Sequence, residues 1–360
     1  MSLRQADREF TASDQGPIAP ARFRWHRRRI VSTGLRWLGV LFLGLVVAGM
    51  TAWCAGAIYY SRRDGSAIGA VLAVGFVAAI ALAFLLLPRR WRTLNGFLAA
   101  FALVVAWWLW LPASNDRDWL PEVAVTPWAS RDGDLVTVHG VRNFDYRTET
   151  DFTPRWEDRT YDLRTLDSGD LIAVYWAGKA IAHIMVSFGF AGRDYLAVSI
   201  ETRKARGQTY STIAGFFKQY ELVYVAADER DVIGVRTTYR QPQEDVYVYR
   251  IQGSRENLRR VFLDYVKTMN DMRDHPQFYN TLTTNCTTTV LMHSHVNPES
   301  PPWSWKILLS GYLPQYVYEL GKLGRTLPFA ELERRAWVNQ RAHAADRDPM
   351  FSRRIREAVR

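Results

Sequence analysis

Three apolar stretches before residue 113 limit what this chain can fold into more than anything after them. The first runs from about Leu35 to Tyr60, the second from Ala67 to Leu87, and the third from about Leu94 to Leu111. Each reaches or approaches the ~20 residues that cross ~30 Å of hydrocarbon as a helix. Apart from Arg36, none carries a charge. Residues 35–112 are therefore read as a membrane domain of three transmembrane helices. The competing reading of the first stretch is a cleaved signal peptide. It is disfavoured by an apolar core that is too long and by the two spans that follow.

Charge tells how the chain is threaded. The 360 residues hold 46 Lys+Arg against 36 Asp+Glu, a net +10, which invites a nucleic-acid reading. Through Pro112, however, there are 13 arginines and only Asp7, Glu9, Asp14 and Asp64, a net +9. The 33 basic and 32 acidic residues after Pro112 nearly cancel. Arg22, Arg24, Arg27, Arg28 and Arg29 precede the first span, and Arg89, Arg90 and Arg92 separate the second and third. The loop between the first two spans holds only Arg62 and Arg63 beside Asp64. The positive-inside rule makes residues 1–34 a cytoplasmic basic N-terminus and puts everything after Leu111 on the far side. The basic clusters are then topology signals beside anionic lipid, and no nucleic-acid partner is expected. Trp107, Trp108 and Trp110 fit an aromatic belt at the outer surface.

Residues 113–134, rich in Pro, Asp and Trp, are read as a linker. Strand-like runs follow at Leu135–Val138, Val141–Tyr146, Leu171–Trp176, Ile181–Phe190, Tyr195–Glu201, Leu222–Ala226, Val232–Thr237 and Val246–Ile251. Ser254 caps a helix with Leu258, Val261, Phe262, Tyr265, Val266 and Met269 on one face. Further helices are expected from near Cys286, around Lys306–Leu320 and around Phe329–Ala345. Strands first and helices afterwards indicate α+β. The catalytic domain is placed at 135–300, with 301–360 as a C-terminal helical extension.

Two cysteines exclude a disulfide-stapled mini-domain. Cys54 lies in the first span, so Cys286 is a leftover thiol in a compartment that favours disulfides. Thr284 or Asn285 can cap a helix whose first turn contains Cys286. Unpaired N–H groups and the helix dipole there would lower the thiol pKa and could hold an oxyanion. The alternative is a small buried core cysteine. A thiol nucleophile needs an imidazole. His293 and His295 share the Cys286 helix, but two turns is ~10 Å, too far for a hydrogen bond. Their i, i+2 spacing also argues against a metal pair. His275 precedes a proline and reads as exposed. His183 stands alone in the apolar strand Ile181–Phe190, where it is either a base or a buried histidine satisfied by a carbonyl. If the next strand pairs with it, Glu201 can orient the ring; otherwise Glu201 and Arg203 form a surface pair. Asp228-Glu229-Arg230-Asp231 reads as a solvated turn rather than a metal site. No HExxH, CxxC pair, P-loop, GxGxxG or GxSxG is present, so neither metal nor cofactor is expected.

The tract from His183 through Phe188-Gly189-Phe190, Ser199-Ile200-Glu201-Thr202-Arg203, Asp228–Asp231 and Phe278-Tyr279-Asn280 to Asn285-Cys286-Thr287-Thr288 resembles the Lnb-type periplasmic domain family, over roughly residues 120–300. The family is named for a bacterial lipoprotein N-acyltransferase. Its domain is thought to be related to circularly permuted papain-like folds, as in NlpC-type peptidases, with the histidine strand before the cysteine helix. The resemblance implies Cys286 as nucleophile, His183 as general base and Glu201 as the ring-orienting group. Asn285, Thr287, Arg203 and Tyr279 are candidates for binding the substrate or its oxyanion. One departure is that the founding transferase has its spans after this domain, whereas here three precede it.

The expectation is a bacterial inner-membrane enzyme with a periplasmic catalytic domain. It would be a thiol acyltransferase taking an acyl chain from membrane phospholipid to an amine such as a lipoprotein N-terminus. The alternatives are a cysteine peptidase or amidase acting on cell-wall peptide, and a non-catalytic envelope binding module. The segment Pro301–Leu309, with Trp303 and Trp305, is read either as resting on the membrane interface or as ordinary core aromatics.

Overall fold

A computed structural model describes residues 22–61, 67–176 and 178–358. The expectations for residues 1–21 and for the Arg62–Asp64 loop lie outside the described residues. Two compact units are present, one ending at Cys54 and one starting at Ala55. The first holds most of helix α1 (Arg22–Tyr60), which extends the apolar stretch back through the arginine cluster. Helices α2 (Ala67–Leu86) and α3 (Arg90–Trp110) follow in the second unit. All three are long and apolar enough to cross a membrane. Their leucines, valines and tryptophans are largely exposed, as lipid-facing side chains must be.

After α3 the chain builds a mixed α+β domain on an eight-stranded sheet. Its strands are β1 (Trp128–Asp132), β2 (Leu135–Arg142), β5 (Trp156–Asp162), β6 (Leu166–Tyr175), β7 (His183–Phe190), β8 (Asp194–Arg203), β9 (Glu221–Ala227) and β10 (Asp245–Arg250). A small hairpin, β3 (Asp145–Tyr146) and β4 (Phe152–Thr153), lies apart. The order across the sheet is β1-β2-β9-β8-β7-β6-β10, with β5 also pairing β2. β7 is an interior strand, antiparallel to β6 and β8. Alternation along the strands sends side chains to two faces. Val186, Phe188, Phe190, Val198 and Ile200 pack under α5 (Arg255–Asp274), and Val290 of α6 (Cys286–Ser294) reaches the same core. Met185, Ala197, Val223, Val225 and Val248 pack on the other face.

Four expectations need correction. Val232–Thr237 is not a strand: α4 (Glu229–Gly234) runs into a π-helical turn, Val235–Tyr239. Its β-branched residues are buried against the sheet, and Asp228 caps it by accepting the Arg230 N–H. The Asp228–Asp231 tract is no solvated turn, because Glu229 and Asp231 are fully buried. Arg356 meets Glu229 at 2.5 Å and Asp170 at 2.8 Å, while Arg142 meets Asp231 at 2.7 Å. The linker is largely part of the domain. It supplies β1, and Trp119 and Val123 enter the core. Nor is 301–360 an appendage. Its helices α7 (Trp305–Leu308), α8 (Leu313–Glu319), α9 (Phe329–Ala336), α10 (Asn339–Ala344) and α11 (Phe351–Arg354) cover the sheet, with Val338, Ala342 and Ile355 completely buried.

Candidate active site at the membrane-facing end of the sheet

Cys286 is the first residue of α6, and Asn285 is its N-cap. Asn280 Oδ1 accepts the N–H groups of Leu282 and Thr283, which folds residues 280–284 into a tight turn before the helix. Asn285 Oδ1 then accepts from Thr287 and Thr288, and Thr288 Oγ1 accepts the Asn285 N–H, closing a capping box. The cap thus takes up the second and third N–H groups of the helix. Among the described residues no hydrogen bond takes the Cys286 N–H, so it can meet a substrate oxyanion.

The sulfur reaches the sheet where β7 and β8 part. Their pairing stops at Met185↔Ser199, and the Ile184 N–H turns to Sγ. Thr287 contributes its own N–H and a hydroxyl 3.8 Å away. These groups favour the thiolate, but burial outweighs them, and the thiol is pushed above its ordinary value. The lowered thiol expected from a helix start is therefore not found.

His183 is the residue next to Ile184 and opens β7. Its Nε2 lies 2.7 Å from Ser199 Oγ, and Ser199 donates to Glu201 Oε1 at 2.7 Å. Arg236 holds the same carboxylate oxygen at 3.0 Å. A hydroxyl has one proton, and an ionised carboxylate only accepts. Ser199 must then receive the Nε2–H, which fixes that tautomer and leaves Nδ1 as the free base. Burial, then the Arg236 charge, push the imidazole down to about 3, although 16% of the side chain still meets solvent. Glu201 is itself buried, a cost that raises its pKa. The charges of Arg236 and Arg142, with the hydrogen bond from Ser199, outweigh that cost and hold the carboxyl well below its usual range. At rest the site therefore holds a neutral thiol and a neutral imidazole, with the imidazole bonded to Ser199 and not to sulfur.

Glu201 sits behind the histidine through Ser199, 3.9 Å from Nε2. Tyr279 is buried beside Cys286. Asn285 is occupied as a cap, and its Nδ2 donates to Thr281 O. Arg203 is not at the site. Its guanidinium is buried over the Trp119 ring and donates to Val123 O, Ala124 O and Asn115 Oδ1. Arg236 was not foreseen. The acidic first turn and the Asp228 cap of α4 were the available signals. Among the other histidines, His293 is fully buried between Asp264 and Tyr224, at 2.7 and 2.8 Å.

Three contacts set this end of the sheet against the last turns of α1 and α3. Phe217, in the β8–β9 connection, stacks on Tyr60 at 5.7 Å and fills the space over Gly56, where a Cβ would come within 2.6 Å of the ring. Ser61 Oγ donates to Phe217 O at 2.7 Å. Lys218 Nζ donates to Trp108 O and Leu109 O at 2.8 and 3.2 Å. The same connection carries the turn before Cys286, because Thr281 N–H donates to Gly215 O and Thr281 Oγ1 to Thr212 O. On the other side, Ser310 Oγ donates to Ala182 O and Gly311 N–H to Ala180 O, which pins the approach to His183. Exposed apolar side chains surround this end: Trp176, Ile213, Leu282, Trp303 and Trp305. Trp303 and Trp305 are 72% and 51% exposed and so are not core aromatics.

Residues 152–311 match the family model of the Lnb N-terminal periplasmic domain. The match runs from β4 to just before α8 and includes both His183 and Cys286. Searches of curated proteins and of solved structures each found no match. The family match and the three apolar helices together support an inner-membrane protein with a periplasmic domain.

Proposed function

We propose that the protein is a membrane-anchored periplasmic acyltransferase that works through Cys286. The observation that carries this reading is the placement of the thiol. Cys286 and His183 share the end of the sheet that is bound to the last turns of α1 and α3. Such a thiol stands at the bilayer surface, where an ester carbonyl of a phospholipid lies. The histidine strand preceding the cysteine helix also suits a circularly permuted papain-like arrangement.

In the first step His183 Nδ1 takes the thiol proton as Sγ attacks the ester carbonyl. The oxyanion meets the Cys286 N–H, the S–C bond forms, and the C–O bond breaks with the proton passing to the leaving alcohol. An amine then attacks the thioester. Its N–C bond forms as S–C breaks, and its proton returns through His183 to sulfur. A lipoprotein N-terminus is an acceptor of this chemistry.

The test is intact mass after incubation with phospholipid vesicles. An acyl adduct on the wild-type protein, absent from Cys286→Ala, is the expected result. No adduct on a folded wild-type protein would sink the transferase reading. A hydrolase using the same pair is favoured by one observation, an aromatic cleft of about 470 Å³ beside the approach to His183, lined by Tyr175, Trp176, Tyr247 and Tyr312. Cleavage of cell-wall muropeptides without an adduct from lipid would select it.

A further inference from the structure

Cys286 begins a stripe along α6. Residues four apart on a helix share a face, so Val290 and Ser294 stand in line behind it. A second line starts at the same sulfur. Ile184 donates its N–H to Sγ, and Val186 and Phe188 follow Ile184 on one face of β7. Both lines lead into one cavity of about 460 Å³, whose walls include Val290, Ser294, Val186 and Phe188. Of its near edge, Val290 lies about 6 Å along α6 from Cys286, and Val186 about 7 Å along β7 from Ile184.

The cavity then follows α5 from Tyr265 past Val261 and Leu258 to Arg255, about 15 Å of helix axis. Leu313 and Val317 of α8 close its far wall. Val186, Phe188, Tyr265, Val290 and Leu291 make the wall nearest Cys286 largely apolar. Charged and amide groups, among them Gln252, Arg255, Asn257, Asn297, Glu299 and Lys322, line the part about the start of α5, and Asp167 and Arg250 also belong to the lining. Clefts of this volume, with a largely apolar wall and a few polar groups, hold small ligands. An elongated space with an apolar stretch that begins about one helical turn from a nucleophile suits a chain attached at that nucleophile.

We infer that this cavity receives the hydrocarbon chain of the acyl group carried on Cys286, and that the ligand class is a long-chain fatty acyl group. The inference rests on the acyltransferase reading above. It gives the thioester a place outside the bilayer while the lysolipid leaves and the amine arrives.

The test uses the full-length Cys286→Ala protein in lipid nanodiscs, with a palmitic acid analogue bearing a diazirine near its methyl end. After irradiation, cross-links are expected on Leu258, Val261 or Val317. Val261→Trp and Val317→Trp fill the cavity from opposite walls, and each should lower the yield about tenfold with little change in unfolding midpoint. Cross-links confined to α1, α2 and α3, or a yield unchanged in both variants, overturn the inference. The probe needs no thiol, so the two ideas can fail separately. Cavity labelling without an adduct on the wild-type protein ends the acyltransferase reading and, with it, the acyl-enzyme role of the cavity. An adduct with labels only in the membrane helices ends the cavity inference alone.

Discussion

Ser199 stands between the imidazole and its carboxylate, so the tautomer of His183 depends on a hydroxyl. Ser199→Ala should lower kcat/KM about a hundredfold, in the range of a lost general base, because Nδ1 is then no longer the preferred lone pair. Cys286 alkylation should be unchanged in that variant. Iodoacetamide reacts with the thiolate, and burial raises this thiol. A free cysteine, with a pKa of about 8.5, levels off roughly one to two pH units above that value, and the wild-type alkylation rate should still be climbing there. A plateau near neutral pH would mean a thiolate–imidazolium pair and overturn the neutral resting state. Stability follows the imidazole too. An unfolded histidine titrates near 6.5, and the folded one is pushed down to about 3. Between those values the unfolded chain binds a proton that the folded chain refuses, so stability falls as pH drops through the window. His183→Gln should remove about 2 kcal/mol of that loss by pH 5, read from urea midpoints. That Ser199 and Glu201 share a face could be read from their spacing of two on a strand, but that the Ser199 hydroxyl stands between Glu201 and His183 could not. Nor was Arg236 legible, because its contact to Glu201 depends on where α4 docks.

Helix α4 is the element that sequence patterning misread. Val232, Ile233 and Val235 suggest a strand by type, yet all three are buried. A short helix buried all round leaves no amphipathic period to read. What fixes it is charge. Arg356, from the last described turn of the chain, lies between Glu229 of α4 and Asp170 of β6 with every partner buried. Removing one member of such a network leaves unpaired charges in the interior. Arg356→Leu should therefore cost about 3–5 kcal/mol, seen as a lower denaturation midpoint. A change within 1 kcal/mol would show that the pairs are solvated and that α11 docks by packing alone. Strand β5 was missed for the opposite reason. Its Glu157, Asp158 and Arg159 make it polar, and it pairs only with β2, so there was no apolar alternation to find. The central strands β7, β8 and β9 were legible because both faces are covered and the runs are almost continuously apolar.

At the scale of the whole molecule, +9 of the net +10 lies before residue 113, and the remainder of the chain is nearly neutral. Three spans could be counted from the sequence, because lipid permits few solutions. Which end of the sheet faces the helices could not be read. That depends on Phe217 over Gly56 and Lys218 at the Trp108 carbonyl, contacts between residues more than a hundred positions apart. The consequence is an apolar collar around the thiol. Ile213 and Leu282 are 58% and 53% exposed in the two connections that flank Cys286. If the collar dips into lipid, a charge at either position is costly only when the protein works on a bilayer. Ile213→Asp and Leu282→Asp together should leave the unfolding midpoint and the turnover of a water-soluble short-chain ester within about twofold of the parent. Turnover of vesicle phospholipid should fall about tenfold or more, since each carboxylate opposes insertion by one or more kcal/mol. Equal losses on both substrates would place the defect in the site itself and remove the membrane from the explanation.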